Sequence, residues 1–260
     1  MTASEKMRPR AETSRLRGWA KSIVDLALIV LVITIAKSAL AEPYYVPSGS
    51  MEPTLKIGDE LLATKYSYGY STASLPMFIN IPGTQRILGA LPRRGDVVVF
   101  RAPADPSQIW VKRVIGLPGD RIAIRGGRVW INGEAVGLTP DGMGKDENDD
   151  GTRRPAPQYI ETLPGGRAHL IFQESTAGPM NNMDEFTVPP DRLFVMGDNR
   201  DNSDDSRVPV RLGGVGLLPV ANLVGRVNTL IGSWDLAAAH RPVWDWPAGL
   251  RLSRFFSSVR

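Results

Sequence analysis

The chain has no cysteine among its 260 residues. Disulfides, thiolate metal sites and cysteine nucleophiles are therefore excluded. Histidine is nearly as scarce. Only His169 and His240 are present, so a histidine-rich metal site cannot be built, and a Ser-His-Asp triad would have to use one of these two. Neither has a neighbouring feature that marks it as catalytic. No Ser-x-x-Lys occurs anywhere in the sequence, which disfavours penicillin-binding chemistry. No internal repeat is evident. Wholesale disorder is excluded by an ordinary composition, with 42% hydrophobic and 22% charged residues.

Long apolar runs are also few. The strongest is LALIVLVITIA at 26–36, bracketed by Asp25 and Lys37. Eleven residues make about 16 Å of helix, too short for a hydrocarbon core of about 30 Å. Extended to 22–41 the length suffices, provided both flanking charges reach the interfaces. Lys6, Arg8, Arg10, Arg15, Arg17 and Lys21 precede it, against Glu5 and Glu12. This is the charge pattern of a cytoplasmic flank. Nucleic-acid binding is the competing explanation of a basic run, but no binding motif follows it, and none is expected. A removable signal peptide is the rival for the apolar segment, since Ala39-Leu40-Ala41 fits a small-x-small cleavage pattern. Lys37, between the core and the supposed cut, favours a retained anchor. On either reading the remainder lies outside the cytoplasm.

That remainder reads as mostly β. Short apolar or alternating runs at 60–64, 96–100, 109–115, 121–124, 128–131, 168–172, 192–196 and 223–228 are separated by Gly, Pro and Asp. Gly126-Gly127 and Asn132-Gly133 are hairpin-turn signals. The interval 137–190 is more polar and reads as an irregular excursion; 66–90 reads as another. Within KDENDDGTRRPAP at 145–157, Asp146, Asn148, Asp150 and Gly151 open like a calcium loop. Pro157 stands where a bidentate Glu is required, so the stretch is expected to be a solvated loop with no metal.

The stretch VPSGSMEPTL at 46–55 presents Ser48 and Ser50 just after the apolar segment. A serine needs a base before it can attack. Lys112, in IWVKRVIG, is the stronger candidate. Arginine stays protonated in proteins, whereas a buried lysine can lose its charge. Strand alternation puts Trp110, Lys112 and Val114 on one face and Val111, Arg113 and Ile115 on the other. Alternation alone does not say which cation points inward. A third stretch, MGDNRDNSDDSR at 196–207, offers Asp–Arg pairing and a serine hydroxyl that could orient a neutral amine.

Together, PSGSMEPTL at 47–55, RGDVVVF with WVKRVIGLPGD at 94–120, and GDNRDNSDDSR at 197–207 resemble the type I signal peptidase (leader peptidase) family. The likeness extends through KYSYG at 65–69 and NLVGRV at 222–227 and covers most of 40–230. The resemblance implies a signal-peptidase-type β fold of coiled antiparallel sheets with one N-terminal transmembrane helix. It implies a Ser–Lys dyad, with Ser50 as nucleophile and Lys112 as general base. Ser48 and the Ser50 N–H would form the oxyanion hole, and Ser203 would hydrogen-bond the Lys112 amine. Asp198 would pair with Arg113 and Asp205 with Arg207, with Lys112 turned inward and Arg113 outward. Tyr44, Val46, Met51, Leu55, Trp110 and Val111 would wall shallow pockets for small side chains.

The expected organisation is a cytoplasmic basic stretch at 1–21, a transmembrane anchor at 22–41, an extracytoplasmic catalytic β domain at 42–233 and a C-terminal extension at 234–260. The expected function is removal of N-terminal signal peptides from exported precursors at the bacterial cytoplasmic membrane, by a monomer in contact with phospholipid and without cofactor. Two alternatives remain: a Ser–Lys peptidase dedicated to a single pilin or conjugation protein, and an inactive anchored β domain that binds extended peptides. In the extension, Trp244, Trp246, Phe255 and Phe256 are interleaved with Arg241, Arg251, Arg254 and Arg260. The aromatics could pack on the core, or the segment could contact anionic headgroups.

Overall fold

A computed structural model of the chain describes residues 10–74, 89–147, 151–235 and 243–259. It divides into two compact units, Met1–Leu40 and Ala41–Arg260. The first is the single helix α1, Arg10–Leu40. From Ile23 to Ile33 its large apolar side chains are all more than half exposed. Among the described residues, no helix is long and apolar enough to cross a membrane. The helix ends at Leu40 and a strand begins at Ala41, so the Ala39-Leu40-Ala41 triplet straddles the junction.

The second unit holds fourteen strands: β1 Ala41–Tyr45, β2 Asp59–Thr64, β3 Val97–Arg101, β4 Ile109–Gly116, β5 Arg121–Arg125, β6 Arg128–Ile131, β7 Glu134–Ala135, β8 Gly137–Glu147, β9 Arg153–Thr162, β10 Ala168–Phe172, β11 Met183–Thr187, β12 Arg192–Met196, β13 Leu218–Pro219 and β14 Leu223–Ser233. Seven form one sheet in the order β1-β2-β14-β3-β4-β12-β13; β10-β9-β8 and β11-β5-β6-β7 form two more. All the strand pairs within these sheets are antiparallel.

The two hairpin signals fall where they were expected. Gly126-Gly127 joins β5 to β6 and Asn132-Gly133 joins β6 to β7, all four with positive φ. Pro43 is accommodated in β1 because β1 is an edge strand, where a missing N–H leaves no ladder bond unmade. Under the large sheet, Val46, Met51, Leu55, Leu61, Val97 and Val99 join Val224, Val227 and Leu230 in one buried cluster. This cluster fixes the strand ends that carry the site.

The polar interval at 137–190 differs from expectation. Residues 145–147 and 153–157 are not a solvated loop: β8 and β9 pair from Gly137↔Thr162 to Glu147↔Arg153. The acidic character of Asp146 and Glu147 suggested exposure, yet both are buried. Asp146 accepts Asn199 Nδ2 at 2.7 Å and Arg154 Nε at 3.0 Å; Glu147 accepts Arg153 Nε at 3.0 Å. Cross-strand arginines supply what water otherwise would. Asn148 and Asp150 lie outside the described residues, as does most of 66–90 beyond the short turns Tyr66–Tyr68 and Thr72–Ser74.

Candidate active site

Ser50 lies in the tight 3-10 turn Gly49–Met51, between β1 and β2. The turn is pressed against the end of β8. A Cβ on Gly49 would come within 2.7 Å of Glu147 O, so a side chain there would push the turn out of place. Asn199 Nδ2 donates to Gly49 O at 3.3 Å, and Asn199 N donates to Ser50 O at 3.2 Å. The turn is thereby tied to the segment that follows β12.

Lys112 comes from β4, paired with Val98 of β3. Its Nζ donates to Ser50 Oγ at 2.8 Å. The side chain is only 5% exposed. Burial pushes its pKa down from 10.5 to about 8, and Arg207 adds to this; Asp205, Asp204 and Asp198 oppose it without cancelling it. Trp110 is beside it, with Nζ 5.7 Å from the ring centroid. A lysine in this state is neutral in about one molecule in ten at pH 7 and about half at pH 8.

Ser48 Oγ lies 3.4 Å from Ser50 Oγ. Ser203 is in the same cleft, with its Oγ buried and without a hydrogen-bond partner among the described residues. The lysine's hydrogen bond goes to Ser50, and the Ser203–Lys112 bond that the resemblance implied is not made. Space around Ser203 is tight. A Cβ on Gly197 would stand 2.3 Å from Ser203 Oγ and 2.4 Å from Ser50 O.

Alternation in β4 holds, but "outward" is not solvent. Arg113 is fully buried on the opposite face. Its Nε and Nη2 donate to the two oxygens of Asp198 at 2.8 and 2.6 Å, and Nη1 donates to Gly95 O at 2.9 Å. The Arg113 charge holds the Asp198 carboxyl below its ordinary pKa against the opposing effect of burial. Arg207 forms a second forked pair with Asp205, whose Oδ2 also accepts Gly197 N at 3.0 Å. His169 does not line the cleft; it is buried 3.2 Å from Glu161. His240 lies outside the described residues.

Lys112, Ser50, Ser48 and Ser203 share an open cleft of about 600 Å³ with Tyr44, Val46, Trp110 and Val111. Met51 and Leu55 are not among its walls. Both side chains turn down into the core cluster and are fully buried. Leu61 of β2 and Val99 of β3 line the cleft instead, with Met180 and Asn202 contributing from loops. Strand alternation was the available signal for Leu61 and Val99. Nothing local in the sequence marked Met180.

A further buried group escaped the sequence reading. Glu52, two residues after Ser50, is 1% exposed. Its Oε2 accepts Glu147 N at 2.8 Å, while Oε1 has no partner among the described residues. Burial, reinforced by the charges of Asp146 and Glu147, raises its pKa to about 7.

An antiparallel β domain with a buried lysine of lowered pKa bonded to a serine in an open cleft has the parts of a serine hydrolase. The comparisons name the family. The model described as "Signal peptidase, peptidase S26" matches residues 16–232, and the chain belongs to this signal peptidase family, which makes it a serine endopeptidase. It is 34% identical to signal peptidase I of Rickettsia canadensis over 95% of this chain and 96% of that one. It is 35% identical to signal peptidase I of Rickettsia akari, over 95% and 94% respectively. A crystal structure of a signal peptidase I from Enterococcus faecalis is 28% identical, covering 53% of this chain and 97% of that one, with a TM-score of 0.31.

Proposed function

We propose that the chain is a membrane-anchored endopeptidase that removes signal peptides from exported precursors, cutting after a small-x-small sequence. The observation that carries this is the 2.8 Å hydrogen bond from Lys112 Nζ to Ser50 Oγ in surroundings that lower the lysine's pKa. Neutral Lys112 takes the Ser50 proton as Oγ attacks the scissile carbonyl. Ser48 Oγ, near Ser50 Oγ, and the Ser50 N–H stabilise the oxyanion; one such donor is worth about 2.7–4 kcal/mol. Protonated Lys112 then passes its proton to the departing amine. A water, deprotonated by the same amine, hydrolyses the ester.

The substrate adds as an extended strand between residues 44–46 and 109–111, both of which line the cleft. The shallow walls admit alanine and exclude larger side chains. Helix α1 serves as the anchor at the bacterial cytoplasmic membrane, with its N-terminus inside and the β domain outside. This reading is supported by the apolar side chains exposed around α1 and the basic residues before them. A lipid surface and exported precursors are its partners.

The test is precursor cleavage by wild type, Ser50→Ala and Lys112→Ala, each checked for folding by circular dichroism. Both variants are expected to be folded and inactive. Cleavage retained by either would remove the mechanism, and activity on several unrelated precursors separates a general processing enzyme from a dedicated one.

A further inference from the structure

Two arginines of the C-terminal segment are committed to the chain that follows Ser50. Arg254, in the turn Leu252–Arg254, donates Nε to Asp59 Oδ1 at 3.0 Å and Nη2 to Asp59 Oδ2. The same Nη2 donates to Thr54 O at 2.9 Å. Arg251 donates Nη1 to Ile57 O at 2.8 Å, and its Nη2 reaches Glu147 Oε2 at 3.4 Å. Residues 54–59 are thus gripped at three points. Asp59 is fully buried and also accepts Lys56 N and the Ser233 hydroxyl.

The segment that carries these arginines is itself fastened to β14. Arg251 N donates to Ser233 O, Leu230 N to Ser257 O and Val259 N to Asn228 O, each at 3.0 Å. These residues lie past 232, where the family match ends. They were candidates for headgroup contact, but Arg251 and Arg254 are occupied within the protein. Among the described residues of this segment the most exposed large apolar side chains are Trp244 and Phe256, both 77% exposed, followed by Leu252. The arginines face inward and these two aromatics outward.

Thr54 is where this clamp meets the base. Arg254 takes its carbonyl, while Arg113, the residue after Lys112, donates Nη2 to its hydroxyl at 3.3 Å. Only three residues separate Thr54 from Ser50, and Leu55 N donates back to Met51 O at 2.9 Å. We infer that Arg251 and Arg254 are positioning residues that set the Ser50 turn at bonding distance from Lys112. A displacement of about 1 Å between reacting groups can cost about a hundredfold in rate.

The inference rests on Ser50 being the nucleophile, but its first readout does not. Amide hydrogen exchange on the full chain in detergent micelles compares wild type with Arg254→Ala, Arg254→Lys and Arg251→Ala. Residues 51–59 are expected to exchange at least tenfold faster in the alanine variants, with 122–131 unchanged. On a precursor peptide, kcat falls at least tenfold while KM stays within twofold. Arg254→Lys keeps the charge beside Asp59 but loses the fork that reaches Thr54 O, so it restores Tm and not kcat. Unchanged exchange at 51–59, equal acceleration in both regions, or kcat recovering in step with Tm would overturn the inference. If Arg254→Ala does not fold, the other two variants carry the same comparison. If wild type cleaves no precursor, the peptidase reading fails and the exchange data still decide this one.

Discussion

Lys112 and Arg113 are consecutive in β4, and both are buried, yet they end in opposite electrostatic states. Arg113 is neutralised by a forked pair with Asp198. Among the described residues Lys112 forms no ion pair; a serine hydroxyl takes its hydrogen bond. One turn of the strand pleat separates a permanent cation from an amine that can lose its proton.

That amine sets the pH dependence of catalysis. Activity should climb through about pH 8 on the acid side, following deprotonation of Lys112. Initial rates against a precursor peptide from pH 6 to 10 check this. Lys112→Arg should remain inactive throughout, since guanidinium gives up no proton in that range. A profile flat across pH 7–9 would exclude Lys112 as the base.

Stability should carry the opposite marks of two buried groups. Folded Lys112 has the lower pKa, so the unfolded chain binds more protons between about 8 and 10.5, and stability rises with pH there. Folded Glu52 has the higher pKa, so the folded chain binds more protons between 4.5 and about 7, and stability falls as pH rises through that window. Glu52→Gln should therefore gain about 2 kcal/mol at pH 8, less than the full shift because the buried amide brings unpaired polar atoms of its own, and little at pH 4.5. Urea unfolding at the two pH values reads the difference.

Breaking the Arg113–Asp198 pair should be costly. Asp198→Ala leaves a buried guanidinium whose remaining acceptors among the described residues are Gly95 O and Thr54 Oγ1, and about 3–5 kcal/mol of stability should be lost. Asp198→Asn, which keeps one acceptor oxygen, should lose less. Denaturant titration ranks the two.

Gly197 is the tightest point of the site. Gly197→Ala drives a methyl into Ser203 and into the Ser50 carbonyl. A loss of about 1–3 kcal/mol is expected from overpacking, together with a kcat loss of at least tenfold because the displaced carbonyl belongs to Ser50 itself. Tm and kcat measured on the same preparation check both. Wild-type kcat in this variant would mean that the turn tolerates the shift.

The β-rich class and eight strands were legible because apolar alternation and Gly/Asn turns are local signals. Six were not, and of these β8, β9 and β11 lie in the polar interval. Their strand character comes from pairing partners, and their polar side chains are neutralised by residues distant in sequence, such as Asn199 against Asp146. The cleft was legible in the same uneven way. Ser50 and Lys112 could be nominated by chemistry and motif, whereas Met51 and Leu55 point away from the cleft because the 3-10 turn Gly49–Met51 and the turns that follow it aim side chains in directions that no strand period predicts. Glu52 went unnoticed because its burial depends on Glu147, 95 positions away.

β1 ends the large sheet, so one side of its backbone has no strand beside it. A peptide that docks there must arrive already stretched out. A precursor whose cut site is wound into a helix, or tucked into a folded passenger, has to unravel several residues first. Local looseness around the scissile bond is then part of what is read, alongside the size of its side chains.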